Sequence, residues 1–350
     1  MANMNIGTPR FYTDIINHLL ASGTTQNGNF DVIGTNSVNH TVGIKSGGGT
    51  ESELFDMRPL NKVTFDTAAS GTTQADHVII NLNTSTFKKS FVAILNHNMA
   101  SADAKVLIKT SDTLGHVQAV DMGSATVMGN PAEVVNADTI GSSIVTPATD
   151  GHTIVRFDET DDRYVGIQFE GNGSNTFDGS TDLFVGCILV GEFYDMPHAP
   201  DLAVKRSISF DGMNTVQESL GGQRFSNATS FGRTGTTRTL SPFNNAIYQN
   251  KVYSGRITYD MNFSYLNSTD VMPNEYDDSN LSDDAVVEDI WNRTRGSHIP
   301  FIFSCDNSTT EEGNNAETQH LFARFSQQNL SMTQVANEVW NISMRIEEEF

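Results

Sequence analysis

The sequence predicts a mainly β chain built as two β-sandwich domains, the first a jelly roll and the second a sandwich with one packed helix. Three observations carry that prediction. Apolar and polar residues alternate over short runs, at the period of two that gives a strand one face in a core and one in water. Gly, Asn and Ser separate those runs at regular intervals, as turns require. Charged residues make up only 18% of the chain while Thr and Asn are frequent, unlike the Glu-, Lys-, Leu- and Ala-rich surface of a helical bundle. Recurrent aliphatic and aromatic runs exclude disorder.

The alternation is clearest at the C-terminal end. Leu321, Ala323 and Phe325 form one run, and Trp340, Ile342, Met344 and Ile346 share a face in a second. Residues 329–337 between them read as a polar connection. At the other end, residues 11–21 predict a short amphipathic helix striped by Ile15, Ile16, Leu19 and Leu20, within an N-terminal arm over 1–30. Strands are expected at 31–33, 63–65, 77–82, 91–95, 104–109, 153–157, 164–169 and 183–193, forming a first sandwich over 31–195. Residues 111–147 lack a pattern and read as long loops.

Pro197 and Pro200 cannot sit in a central strand. They mark a linker over 196–206, and a second sandwich follows over 207–350. That half opens with a strand at 208–210 and a Gly- and Arg-rich stretch over 221–239. A long strand over 252–266 comes next, with Ile257, Tyr259, Met261, Phe263 and Tyr265 on one face. A helix is expected over about 282–295, capped by Ser282, with Asp283 and Asp284 in its first turn. Ala285, Val286, Ile290 and Trp291 make its stripe, and Gly296 stops it. Residues 300–305 read as a strand buried on both faces.

At 350 residues the chain has room for two cores. Its 42 Asp and Glu against 21 Lys and Arg give a net charge of −21. That balance argues against nucleic acid, which needs a basic stripe, and against anionic membranes. No run approaches the ~20 apolar residues of a membrane span, and the opening residues lack the apolar core of a signal peptide. The expectation is a soluble protein made in a cytoplasm, without membrane insertion. Cys187 and Cys305 both lie in apolar runs and read as buried free thiols, not zinc ligands.

No nucleophile elbow, zinc-protease, phosphate-loop or dinucleotide motif is present. The expectation is a non-enzyme without a cofactor. Asp158, Asp161 and Asp162 crowd one tight turn with Glu159 and are weak calcium candidates, though the spacing is not that of an EF-hand. Arg224, Arg233 and Arg238 stand out in an acidic chain and are interface candidates, together with Phe325 and Trp340.

Four phrases carry a resemblance in the first half: FVAILNHNM at 91–99, AKVLIK at 104–109, RYVGIQF at 163–169 and LFVGCILVGEF at 183–193. Together, over 63–194, they resemble the discoidin-like, galactose-binding-type sandwiches of phage structural proteins. That resemblance implies sugar contact through loop residues, which makes His97 and Asn98 weak glycan candidates. A His-Asn pair at a strand end equally fixes a turn through side-chain-to-backbone bonds.

From 205 to the end, four features in order resemble minor tail proteins of tailed bacteriophages. They are the Arg- and Gly-rich segment, the long alternating strand, the helix followed by Pro300-Phe301-Ile302-Phe303, and Ala323-Arg324-Phe325 leading to a final strand with an acidic end. The resemblance implies a tail-tube-like or distal-tail-like sandwich assembling in a ring of three or six copies with other virion tail proteins. No long tube-lining loop is evident, which favours a distal-tail, baseplate or fibre-attachment role. Two alternatives stand beside it: a virion protein binding host surface glycan through the first sandwich, and a capsid decoration protein. Both tryptophans lie in the second half, which counts against a sugar platform in the first.

Overall fold

The computed structural model describes residues 6–21, 31–36, 43–68, 74–82, 87–118, 122, 125–127, 132–135, 139–140, 144–172, 177–209, 216–226, 256–273, 284–307 and 320–349. In chain order these form β1 (Arg10–Asp14), α1 (Ile15–Ala21), β2 (Asp31–Asn36), β3 (Val63–Thr64), β4 (Gln74–Asn81), β5 (Lys89–His97) and β6 (Ala104–Ser111). Next come α2 (Leu114–Gln118), β7 (Thr126–Val127), β8 (Ala132–Val135), β9 (Thr139–Ile140), β10 (Ile144–Thr146), β11 (Gly151–Thr160), β12 (Tyr164–Gly171), β13 (Phe184–Val185) and β14 (Cys187–Asp195). The remainder is β15 (Lys205–Ser209), β16 (Val216–Glu218), β17 (Arg224–Ser226), β18 (Arg256–Asn267), β19 (Phe301–Ser304), β20 (His320–Phe325), β21 (Ser331–Ala336) and β22 (Val339–Glu348).

The chain is mainly β and its sheets are antiparallel. One sheet of eleven strands runs β15-β18-β22-β20-β19-β1-β14-β5-β11-β8, with β21 beside β22. A second, of seven, runs β2-β4-β12-β6-β10-β9, with β7 beside β6. Over the first half the two sheets face each other. Val92, Ile94, Val155, Ile188 and Val190 of the large sheet pack in one core with Val78, Ile80, Val106, Ile108, Val165 and Ile167 of the smaller. Strand β5 is buried on both faces, because Phe91, Ala93 and Leu95 enter a different cluster. That explains why its sequence is an unbroken apolar run.

The second core holds Tyr259, Met261, Phe263, Phe301, Phe303, Ile342, Met344 and Ile346. Of the linker expected over 196–206, residues 196–204 join β14 to β15 while Lys205 and Arg206 belong to β15, and the sheet continues across this point through β1. Strand β1 pairs with β14 on one side and β19 on the other. Its Phe11 enters the second core, while Tyr12 enters a third cluster with Phe91, Leu189, Ile302 and Phe322. Arg10 anchors the strand by a two-pronged pair to Asp195, at 2.6 and 2.8 Å.

Several expectations change here. The helix expected from residue 11 starts at Ile15, because residues 10–14 are a strand buried on both faces with no alternation to read. Asp14 stops the strand and caps α1, its Oδ2 accepting the Asn17 N–H at 2.7 Å. The stretch 111–147 contains α2 and strands β7 to β10 as well as loops. Tyr265 does not join the buried face of β18. A bulge between Phe263 and Leu266 turns Tyr265 outward, with φ of +64°, and buries Leu266 in its place. The connection expected at 329–337 is largely β21, a hairpin strand exposed at every residue but half-buried Met332, which leaves no apolar period.

The helix expected over 282–295 is a π-helical segment, Val286–Asn292. Ser282 and Asp283 lie outside the described residues. Ala285 takes the cap position, and Asp289 Oδ2 accepts its N–H at 2.8 Å. The wider turn buries Glu288, Asp289 and Arg293 beside the expected apolar stripe. Gly296 ends the segment at φ of +66°, its N–H bonding the Trp291 carbonyl at 2.9 Å.

Candidate functional site

His97 and Asn98 end β5 inside the protein, where neither can reach a glycan. Nδ1 of His97 accepts the Met99 N–H at 3.2 Å, so the ring proton sits on Nε2, which bonds Thr153 Oγ1 at 2.9 Å. Burial holds this imidazole's pKa down to about 3, and neighbouring His152 adds to the effect. Asn98 donates to the Asp182 carbonyl at 2.8 Å and accepts the Phe184 N–H at 2.7 Å, tying β13 to the end of β5. Both residues fix a turn.

The calcium candidates do not converge. Asp158 and Asp161 are exposed, and Asp162 accepts the Thr110 hydroxyl. Glu159 pairs with Lys88 at 2.7 Å. Among the described residues no group of three or more His, Cys, Asp or Glu is placed to hold a metal. Cys187 and Cys305 are buried free thiols.

Of the interface candidates, Phe325 is a core residue within 4.8 Å of Phe301 and 5.3 Å of Trp291, ring centre to ring centre. It is unavailable to a partner. Trp340 is half-buried on β22 opposite Leu266 and Gln334. Arg224 is exposed and pairs with Glu218 across the β16–β17 hairpin at 3.3 Å. Arg233 and Arg238 lie outside the described residues.

A buried charge cluster joins the π-helical segment to β14. Arg293 Nη2 lies 2.9 Å from Glu192 and 3.2 Å from Asp289. Burial pushes the Glu192 carboxyl up to about 7 and that of Asp289 to about 6, although Arg293 opposes both shifts. One arginine facing two carboxylates in the interior is a structural clamp between the chain's halves.

The feature that faces outward is the end of the large sheet. Strand β15 pairs with β18, Ile208 opposite Ile257, and among the described residues no strand pairs with its outer edge. Directly opposed residues share a face, so Ile208 continues the row that begins with buried Ile257 in the second core, yet it is 51% exposed. Leu202 and Leu220, on either side of β15 in sequence, are fully exposed. The core face therefore runs out to an open edge with its last side chain half in solvent. Lys205 and Arg206 begin that strand, Lys205 opposite Asp260 and Arg206 over the Tyr259 ring. Sequence reading placed a strand at Ile208 but did not recognise it as an edge. The Lys-Arg pair opening so short a strand is the available signal.

No known family profile matches the sequence, and no curated protein matches it. By structure, 45% of the chain is similar to 97% of chitosan-binding module 1 from a chitosanase/glucanase of Paenibacillus sp. IK-5, at 18% identity and a TM-score of 0.28. Truncated AlyQ, with CBM32 and alginate lyase domains, is similar at 13% identity and a TM-score of 0.27; the match takes in 73% of this chain and 55% of that one. Likenesses at these scores assign neither a fold nor a ligand here. Among the described residues no helix is long and apolar enough to cross a membrane.

Proposed function

We propose that this chain is a structural protein that works by lateral association with copies of itself, in the tail of a tailed-phage virion, as a distal-tail, baseplate or fibre-attachment component. The open edge of β15 carries the reading. Its main-chain groups, which no described strand pairs, can extend the sheet into a neighbour, and half-exposed Ile208 supplies apolar surface on it. Antiparallel self-pairing of two β15 strands about Ser207 would set Lys205 of each copy opposite Ser209 of the other and end in a dimer. A head-to-tail contact, with this edge on a different face of the next copy, leaves a further edge free at each step. Repeated by rotation, such a contact closes a ring. The long alternating strand β18, the Phe301–Ser304 strand β19 and the pair β20 and β22, which belong to the features that resemble minor tail proteins, lie in one layer.

Light scattering behind a sizing column tests this directly. The expected mass is a multiple of the 38.2 kDa chain. Ile208→Lys, an exposed change that leaves the core intact, is expected to shift the population towards monomer without lowering the melting temperature. A wild-type protein that stays monomeric when concentrated would sink the reading.

A further inference from the structure

Strands β15, β18, β22 and β21 form one antiparallel layer over the second core, in that order. The layer has an open edge at each end: among the described residues no strand pairs with the outer side of β15 or of β21. Strand β21 is the less guarded of the two. Its residues Ser331–Ala336 carry no charge and no proline, which are the common protections of an exposed edge.

The core face is unfinished at both ends. Ile208 lies opposite Ile257 and Met332 opposite Ile342, and both of those partners are buried in the second core. Ile208 itself is half exposed and Met332 half-buried. Each has a strand beside it on one side alone among the described residues.

Direction and stagger suit these two ends to each other. The strands alternate in direction across the layer, so β15 and β21 run opposite ways. A second copy added by rotation therefore presents its β15 antiparallel to β21, with the core faces of both layers on the same side. Setting Ile208 of one copy opposite Met332 of the next places Ser207 opposite Thr333 and Arg206 opposite Gln334, and no like charges oppose each other. Within one copy Ser207 is level with Glu347 of β22, through Thr258, whereas Thr333 is level with Asn341. That offset is about 20 Å along the strands, against about 19 Å for the strand spacings that one copy adds. Such a ratio tilts the strands by about 45° to the ring axis, near the roughly 35–45° at which sheets close on themselves.

We propose that β21 is the acceptor edge for β15 of the next copy, the two strands joining antiparallel with Ile208 beside Met332, so that one sheet runs through the ring. This rests on the association through β15 proposed above and names the surface that receives it.

The test is a disulfide between copies. Within one copy Ser207 and Thr333 are about 14 Å apart across the layer and about 20 Å along it, far beyond the reach of a disulfide. The full-length protein carrying Ser207→Cys and Thr333→Cys is treated with diamide and run on a non-reducing gel, beside the wild type, whose Cys187 and Cys305 are buried. A ladder of covalent dimers, trimers and higher forms is expected. A mixture of the two single variants is expected to give dimers and no ladder. Light scattering of the same samples before oxidation reads association separately. Dimers from Ser207→Cys alone would show β15 pairing with itself, and dimers from Thr333→Cys alone would show the same of β21; either overturns the proposal. Oligomers by scattering without a ladder overturn it and leave association through β15 standing, whereas a monomer overturns both.

Discussion

Replacing Phe11 with alanine probes the single strand that makes the large sheet continuous. Phe11 is fully buried, and its ring centre lies 5.6 Å from Phe301, 5.3 Å from Phe303 and 6.2 Å from Phe325. Truncating a buried Phe costs about 3–5 kcal/mol through lost transfer energy and the cavity left behind. Three aromatic neighbours at these separations place the change towards the upper end of that range. With a urea slope of about 3 kcal/mol per M, the unfolding midpoint falls by about 1–1.7 M. Trp291 and Trp340 both pack against the second core and report its unfolding by fluorescence. Amide exchange in β14 should accelerate as well, because β1 is its hydrogen-bonded neighbour along all five residues. Phe11→Leu, which retains most of the volume, should cost less than about 1.5 kcal/mol. A loss below about 1 kcal/mol in Phe11→Ala, or unchanged exchange in β14, would refute the placement of β1 and its role as the joint.

Gly191→Ala tests the same joint from the other side. The added Cβ would lie 2.0 Å from the Thr13 carbonyl oxygen, a backbone atom, so denaturation should show a loss of about 1–3 kcal/mol, and a neutral result would place β1 elsewhere. Arg293→Met leaves Glu192 and Asp289 facing each other without their cation, at an expected loss of about 3–5 kcal/mol at pH 8. Both carboxyls have raised pKa values, so the folded state favours their protonated forms and the loss should shrink at pH 5; equal losses at both pH values would count against the clamp. His97 titrates in the opposite sense. Its folded pKa of about 3 lies below the ordinary 6.5, so its contribution is complete above pH 6.5 and falls by roughly 1.4 kcal/mol per pH unit on acidification towards 3. His97→Gln should remove that slope, and an unchanged pH profile of the wild-type-minus-variant difference would show that the ring is charged or exposed in the folded protein.

Much of the fold is legible in the sequence because strand alternation is a local signal. The strands expected in the first half are present, save that the one expected over 183–193 divides at Gly186 into β13 and β14 of different sheets; residues such as Val78, Ile80, Val106 and Ile108 state their burial through their spacing. The row Ile342, Met344, Ile346 likewise shows the inward face of β22. β1 and β21 stay hidden: β1 mixes polar Arg10, Thr13 and Asp14 among its buried residues and so shows neither an alternation nor an apolar run, and β21 is exposed at every residue but Met332. The outward turn of Tyr265 depends on a bulge against β22, and no single-strand pattern contains a neighbour's register.

The candidate site divides the same way. The sequence alone determined the acidic balance, the strand-rich architecture, the apolar settings of both cysteines and the turn chemistry at His97 and Asn98. Only the tertiary structure decided that Phe325 is core, that Asp158, Asp161 and Asp162 do not converge, and that β15 is an edge. It alone brought Asn17, Arg58 and Arg324, far apart in sequence, to the lining of one cleft. Whether a side chain is covered depends on which distant strand lies beside it. Alternation records which face a residue occupies and carries no information about what packs there.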